Sequence, residues 1–149
     1  MPGRIEPIEV TIYRVDPTLP LPRYATPGAV GFDLLCREET TVAPGEIAML
    51  PSNVVVHTPA GYALLVLPRS STARRTGLIF PHGAGVIDQD YCGPDDEILI
   101  QVQNTRPDPV TVPRGERVAQ GLFVPVAIAH WREIERPDGP SRGGFGSTR

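Results

Sequence analysis

Glu97-Ile98-Leu99-Ile100-Gln101-Val102-Gln103 is the stretch whose reading settles the fold class. Ile98, Ile100 and Val102 recur at every second position, while Glu97, Gln101 and Gln103 fall between them. That is the two-residue repeat of a strand with one face inward, and not the 3.6-residue repeat of a helix. Outward from it, further short strands are expected at residues 9–15, 46–50, 53–57, 62–67, 117–124 and 130–134. Residues 62–67 are apolar on both faces, so that strand should be covered on both sides or lie at a subunit contact. Eighteen prolines and fifteen glycines interrupt the chain every few residues, which leaves residues 71–76 as the one candidate helical turn. Many short, evenly spaced strands predict an all-β chain folded as a β-sandwich or barrel.

The 149 residues suit one domain, with a β body over residues 1–136. Residues 137–149, rich in Gly, Ser and Pro, read as a mobile C-terminal arm. A net charge of −3 offers no general attraction for nucleic acid, and none is expected as a partner. All fourteen basic residues are arginines, a bias that either a hot habitat or codon usage would produce. Cys36 and Cys92, far apart and outside any CxxC, suit neither a disulfide framework nor a zinc site. His57, His82 and His130 are scattered and read as structural. No apolar run approaches the length of a membrane span or opens the chain as a leader. The expectation is a soluble, cytoplasmic protein with no membrane partner.

Five stretches carry chemistry. In Gly83-Ala84-Gly85-Val86-Ile87-Asp88-Gln89-Asp90-Tyr91-Cys92-Gly93, Val86 and Ile87 read as the buried end of a strand that delivers Asp88, Asp90 and Tyr91 into a turn. A carboxylate held at the lip of a pocket can take a proton from water, and an aromatic beside it can wall a flat ligand. Asp33, within Pro27-Gly28-Ala29-Val30-Gly31-Phe32-Asp33-Leu34, either caps local backbone or holds a metal-bound water. Arg69, Ser70 and Ser71 combine a guanidinium fork with hydroxyls at a helical turn, which phosphate oxygens need. The same serines also suit a plain helix N-cap. Gln120, in Arg114-Gly115-Glu116-Arg117-Val118-Ala119-Gln120, has an amide able to donate to a phosphate. Ser141-Arg142-Gly143-Gly144-Phe145-Gly146-Ser147-Thr148 sets one arginine, one aromatic and three hydroxyls in a glycine frame, a composition that suits a lid.

Taken in order, the five stretches resemble the five motifs of the trimeric dUTPases, from Gly28 through Thr148. The resemblance implies a jelly-roll-like β subunit, a homotrimer with three shared active sites, and hydrolysis of dUTP to dUMP and pyrophosphate with Mg²⁺. It implies Asp88 as the acid that activates the attacking water, and Tyr91 as the residue under the deoxyribose that leaves no room for a 2′-hydroxyl. The backbone from Gly83 through Gly85, Val86 and Ile87 would pair with uracil. Arg69, Ser70, Ser71 and Gln120 would grip the phosphates, and Asp33 would hold a water on Mg²⁺, itself carried by the triphosphate. Phe145, with Gly146 beside it, would stack on uracil, while Arg142 and Ser147 reach the terminal phosphates.

Three departures from the family pattern stand out, the mildest being Glu116 and Gly121 where the fourth motif usually has Asp and Leu. Pro94-Asp95-Asp96 intervene after Cys92-Gly93, where the family usually proceeds directly to Glu and a strand. The family's tail arginine often stands two residues further upstream, where this chain has Pro140, so Arg142 works from a shorter arm. The alternative reading is a dCTP deaminase of the same fold, alone or combined with diphosphatase activity, because Ser70-Ser71-Thr72-Ala73-Arg74 resembles that signature. That chemistry needs a glutamate three residues before the asparagine that Asn104 matches, and the chain has Gln101 there.

Overall fold

The computed structural model describes residues 5–146. Its first half runs β1 (Thr11–Arg14), β2 (Phe32–Leu35), β3 (Thr40–Val42), β4 (Ile47–Pro51), β5 (Val54–His57) and β6 (Tyr62–Pro68). There follow α1 (Thr72–Thr76), β7 (Leu78–Ile79), β8 (Gly85–Ile87), β9 (Leu99–Asn104), β10 (Val110–Val112) and β11 (Arg117–Pro125). The chain is all-β with a jelly-roll-like arrangement, as its sequence predicts. Every pairing between strands is antiparallel, and the strands join as β2-β11-β6-β8, β4-β9-β7, β1-β5 and β10-β3.

The inward face of residues 97–103 is as expected: Ile98, Ile100 and Val102 are fully buried. They join Leu34, Leu50, Leu64, Val66 and Leu78 in one core. Each such side chain contributes about 1.5–3 kcal/mol by leaving water, and none carries a polar atom to satisfy. Residues 62–67 show the mixed character that their two apolar faces suggest: Leu64 and Val66 are buried, while Ala63, Leu65 and Leu67 are only half-covered by their own chain.

Four expectations need correction. Residues 130–134 form no strand; they are exposed, with Trp131 at 87% and Ile134 at 52%. They have no strand beside them to complete a ladder. Val86 is not buried but 61% exposed, because β8 is the outermost strand of its sheet. Glu97 does not face solvent: its side chain is only 14% exposed and pairs with Arg37. Finally β3, β7 and β10, of two or three residues each, lie where no strand was expected. After Pro125 the described residues 126–146 contain neither strand nor helix. No helix among the described residues is long and apolar enough to cross a membrane.

Candidate active site

Strand register assembles the first group of residues. On β11, Gln120 lies opposite Asp33 of β2 on one side and Leu67 of β6 on the other. Arg69 follows directly on β6, so all three side chains emerge at one end of the sheet. Asp33 accepts from Arg69 Nε at 3.0 Å and from Arg117 Nη1 at 3.3 Å. Gln120 donates through Nε2 to the Pro68 carbonyl at 3.0 Å. Gly31 packs so closely against this amide that a Cβ there would collide with Gln120 Oε1. Gln120 is thereby fixed between the sheet and the Gly31 backbone.

The structure separates the two readings of the serine pair. Ser71 stands at the N-cap of α1, yet its side chain makes no capping bond. Thr72 does the local work instead: its Oγ1 accepts from the Arg69 amide at 2.9 Å and is buried against Val118. The Ser70 hydroxyl sits on an exposed residue. Both hydroxyls are therefore available to a ligand beside Asp33, Arg69 and Gln120. Asp33 is a single hard oxygen donor held between two guanidinium groups. Among the described residues no three His, Cys, Asp or Glu side chains are grouped to hold a metal.

The second group lies on β8 and the loop after it. Gly83 takes φ of +82°, a left-handed conformation that favours glycine, and its amide donates to Phe80 O at 3.0 Å. The turn launches β8, which pairs only with β6, so one edge of Gly85–Ile87 has no strand beside it. Asp88 leaves the end of that strand exposed, and its carbonyl accepts from the Tyr91 amide at 3.3 Å. The extra Pro94-Asp95-Asp96 segment is not slack. Asp96 Oδ2 accepts from the Gly93 amide at 2.8 Å, and the Asp96 amide donates to Gly93 O at 3.1 Å.

Tyr91 is anchored across this loop: its hydroxyl donates to the Glu97 carbonyl at 3.0 Å. Burial, and after it the negative charges of Asp96 and Glu97, push the phenol above its ordinary pKa, so it remains a donor. The Glu97 carboxylate accepts from Arg37 Nε at 2.8 Å, from Arg37 Nη2 at 2.9 Å and from the Asn53 amide at 2.8 Å. This bond to Glu97 holds the Arg37 guanidinium pKa above its usual range. Removing one partner of a fully buried pair costs about 3–5 kcal/mol, and this pair, 22% and 14% exposed, should cost somewhat less. Neither residue was expected at the site from sequence. Their contact spans sixty positions, which no local pattern reveals.

Within one chain the two groups do not meet. Ile87 pairs with Leu64, and Gln89 Nε2 donates to Tyr62 O at 3.3 Å, so Asp88 lies at the Tyr62 end of β6. Arg69 and Gln120 lie at the Pro68 end. The seven residues of β6 hold these ends roughly 20 Å apart at about 3.3 Å per residue. A cavity of about 360 Å³ includes Asp33 and Arg117 but neither Asp88 nor Tyr91. Arg142 and Phe145 are exposed, with Phe145 at φ +50° and Gly146 at +86°, and touch neither group through any hydrogen bond. Ser147 and Thr148 lie outside the described residues.

The dUTPase family model matches residues 18–149. A deoxyuridine 5′-triphosphate nucleotidohydrolase of Thermobifida fusca is 42% identical over 144 residues, covering 95% of this chain and 79% of that protein. The protein of the same name in Streptomyces coelicolor is 44% identical over 144 residues, with 95% and 77% covered. The crystal structure of a dUTPase from Streptococcus mutans superposes with a TM-score of 0.75 at 33% identity, over 82% of this chain and 98% of that one.

Proposed function

The chain belongs to the dUTPase family and hydrolyses dUTP to dUMP and pyrophosphate, and from that premise we propose how its residues divide the work. Asp88 takes the proton from the attacking water. The observation that carries this reading is its exposed position at the end of β8, on a turn closed by the Tyr91 amide, whose own ring is hydrogen-bonded in place. The free edge from Gly83 to Ile87 offers peptide N–H and C=O groups to the edge of uracil. Tyr91 lies under the deoxyribose. Arg69, Ser70, Ser71 and Gln120 donate to the non-bridging phosphate oxygens, where charge accumulates as water attacks. Magnesium chelated by the triphosphate would add charge neutralisation there, and Asp33 is the residue that would hold one water of its shell.

The assembly we propose is a homotrimer. Two observations support an assembly in which chains share sites. Asp88 and the phosphate donors stand at opposite ends of β6 in one chain, so a second chain must bring them together. The described residues after Pro125 expose Ile128 at 88% and Trp131 at 87%, apolar surface that a neighbour would cover. The body of residues 1–136 then carries the sheets, and residues 137–149 form a mobile arm that brings Arg142, Phe145, Gly146 and Ser147 over another chain's nucleotide. Cys36 and Cys92 are free thiols, in keeping with a reducing, cytoplasmic compartment.

Resolving the products of dUTP and dCTP after incubation with pure protein tests the reading. Pyrophosphate and dUMP are expected from dUTP, and no ammonia from dCTP. Asn104 is buried and spends its amide on the carbonyls of Val42 at 2.9 Å and Asp108 at 2.8 Å. It is thus committed to the fold, and Gln101→Glu is expected to release no ammonia either; release by the wild type would overturn the assignment. For the sugar, Tyr91→Ala should raise the turnover of UTP relative to dUTP by roughly ten- to a hundredfold, the range that shape exclusion of one small group commands. Unchanged discrimination in paired kinetics would assign the exclusion of ribose to another residue.

A further inference from the structure

We propose that Arg37 and Glu97 are positioning residues for discrimination against ribonucleotides, holding the Tyr91 ring at the height where a 2′-hydroxyl no longer fits. The inference rests on the reading of Tyr91 as the sugar gate. A gate for one hydroxyl works by sub-ångström placement of its wall, so whatever fixes the ring sets the selectivity. The ring sits on a loop, after a turn with no regular structure between Ile87 and Leu99. Its hydroxyl has one partner among the described residues, the Glu97 carbonyl at 3.0 Å.

That carbonyl is in turn held from two sides. Toward the C-terminus, Ile98 donates to Val54 O at 2.9 Å and accepts from the Ser52 amide at 3.1 Å. At Glu97 itself the carboxylate receives both arms of the Arg37 fork and the Asn53 amide. Asn53 is a rigid donor: it is buried, with φ of +74°, and its side chain is tied to the Asp16 backbone at 2.6 and 3.0 Å. Arg37 is fixed at its own backbone, donating to Pro51 O at 2.7 Å. The three-residue insertion lengthens the path from Tyr91 to β9; the bonds between Asp96 and Gly93 close the insertion on itself, and the ring hydroxyl is tied to the core through Glu97. The ion pair carries that tie onward, connecting the gate to the β4–β5 corner of the core.

The readout is the ratio of kcat/KM for dUTP to that for UTP. Arg37→Met and Tyr91→Phe should each lower it by about three- to tenfold, and the double variant should fall no further than the lower single, since both cut one chain of contacts. Where Arg37→Met fails to fold, Arg37→Lys, which keeps the charge but not the fork, carries the same comparison. Thr41→Val, which breaks the exposed 2.9 Å hydroxyl contact with Thr111 between β3 and β10 and touches none of these residues, should leave the ratio unchanged and so separates positioning from general loosening. Multiplying effects in the double variant, or a wild-type ratio in both singles while Tyr91→Ala relaxes it, would overturn the proposal and leave the gate standing. A wild-type ratio in Tyr91→Ala would overturn the gate reading, and the proposal with it.

Discussion

Asp88→Asn protein is expected to bind a non-hydrolysable dUTP analogue normally and to hydrolyse dUTP at least about a hundredfold more slowly than wild type, the usual loss when a general base is removed. The amide keeps the size and most of the hydrogen-bonding shape of the carboxylate but cannot accept the proton of the attacking water. The substitution should not disturb the turn. Asp88 joins it through its backbone carbonyl, which accepts from the Tyr91 amide, and its side chain projects from an exposed position. A hundredfold loss corresponds to about 2.7 kcal/mol of transition-state stabilisation, so calorimetric binding and single-turnover rates will separate affinity from chemistry. A rate near wild type would remove Asp88 from the role of base.

Truncation after Asp138 should abolish most turnover, by on the order of a hundredfold, because it removes a lid and a set of transition-state donors. The assembly and its melting temperature should change little. The removed residues lie beyond Ile128, Trp131 and Ile134, whose exposed surface is what a neighbour would cover, and no strand lies after Pro125 among the described residues. Mixing this truncated chain with Asp88→Asn chains is the decisive form of the experiment. Each variant alone lacks one part of every site. If the body of one chain, the acid of a second and the arm of a third make a site, random mixing at equal amounts restores up to about a quarter of the sites. Sedimentation of the wild type as a monomer would defeat the shared-site assignment, as would failure to regain activity in verified mixed trimers.

Candidate site residues could be named from the chain, but their distribution in space was not legible there. Asp33, Arg69 and Gln120 stand out as residue types suited to a triphosphate and its ion, and strand register does gather them at one end of the sheet. Asp88 and Tyr91 stand out equally well, yet nothing in a linear string says that β6 separates them from the first group. The β class followed from Ile98, Ile100 and Val102, since two-residue periodicity is a local property. Where a strand exists only through its partner, the pattern was silent. Thr40–Val42 and Val110–Val112 are too short for any repeat and pair with each other seventy positions apart, down to a Thr41–Thr111 hydroxyl contact at 2.9 Å. The converse error occurred at residues 130–134, where apolar residues suggested a strand that their own chain gives no edge to join. Glu97 illustrates a third limit: polarity predicted exposure, while a guanidinium sixty positions away had already satisfied its charge.

The outermost position of β8 has a consequence for how this protein can change over evolutionary time. A base read by peptide groups is read by atoms that every residue except proline possesses. Val86 points 61% of its surface to solvent, so its side chain is free to drift without altering the recognising edge. Selectivity for the base is thereby shielded from most single-codon changes along the strand, and is vulnerable instead at the hinge that aims it. Gly83, at φ +82°, is such a hinge: a side chain there strains the backbone and would turn the whole edge away from its ligand. On the proposed reading of uracil by this edge, the inherited information for recognising the base resides less in what the strand carries than in the glycine that precedes it.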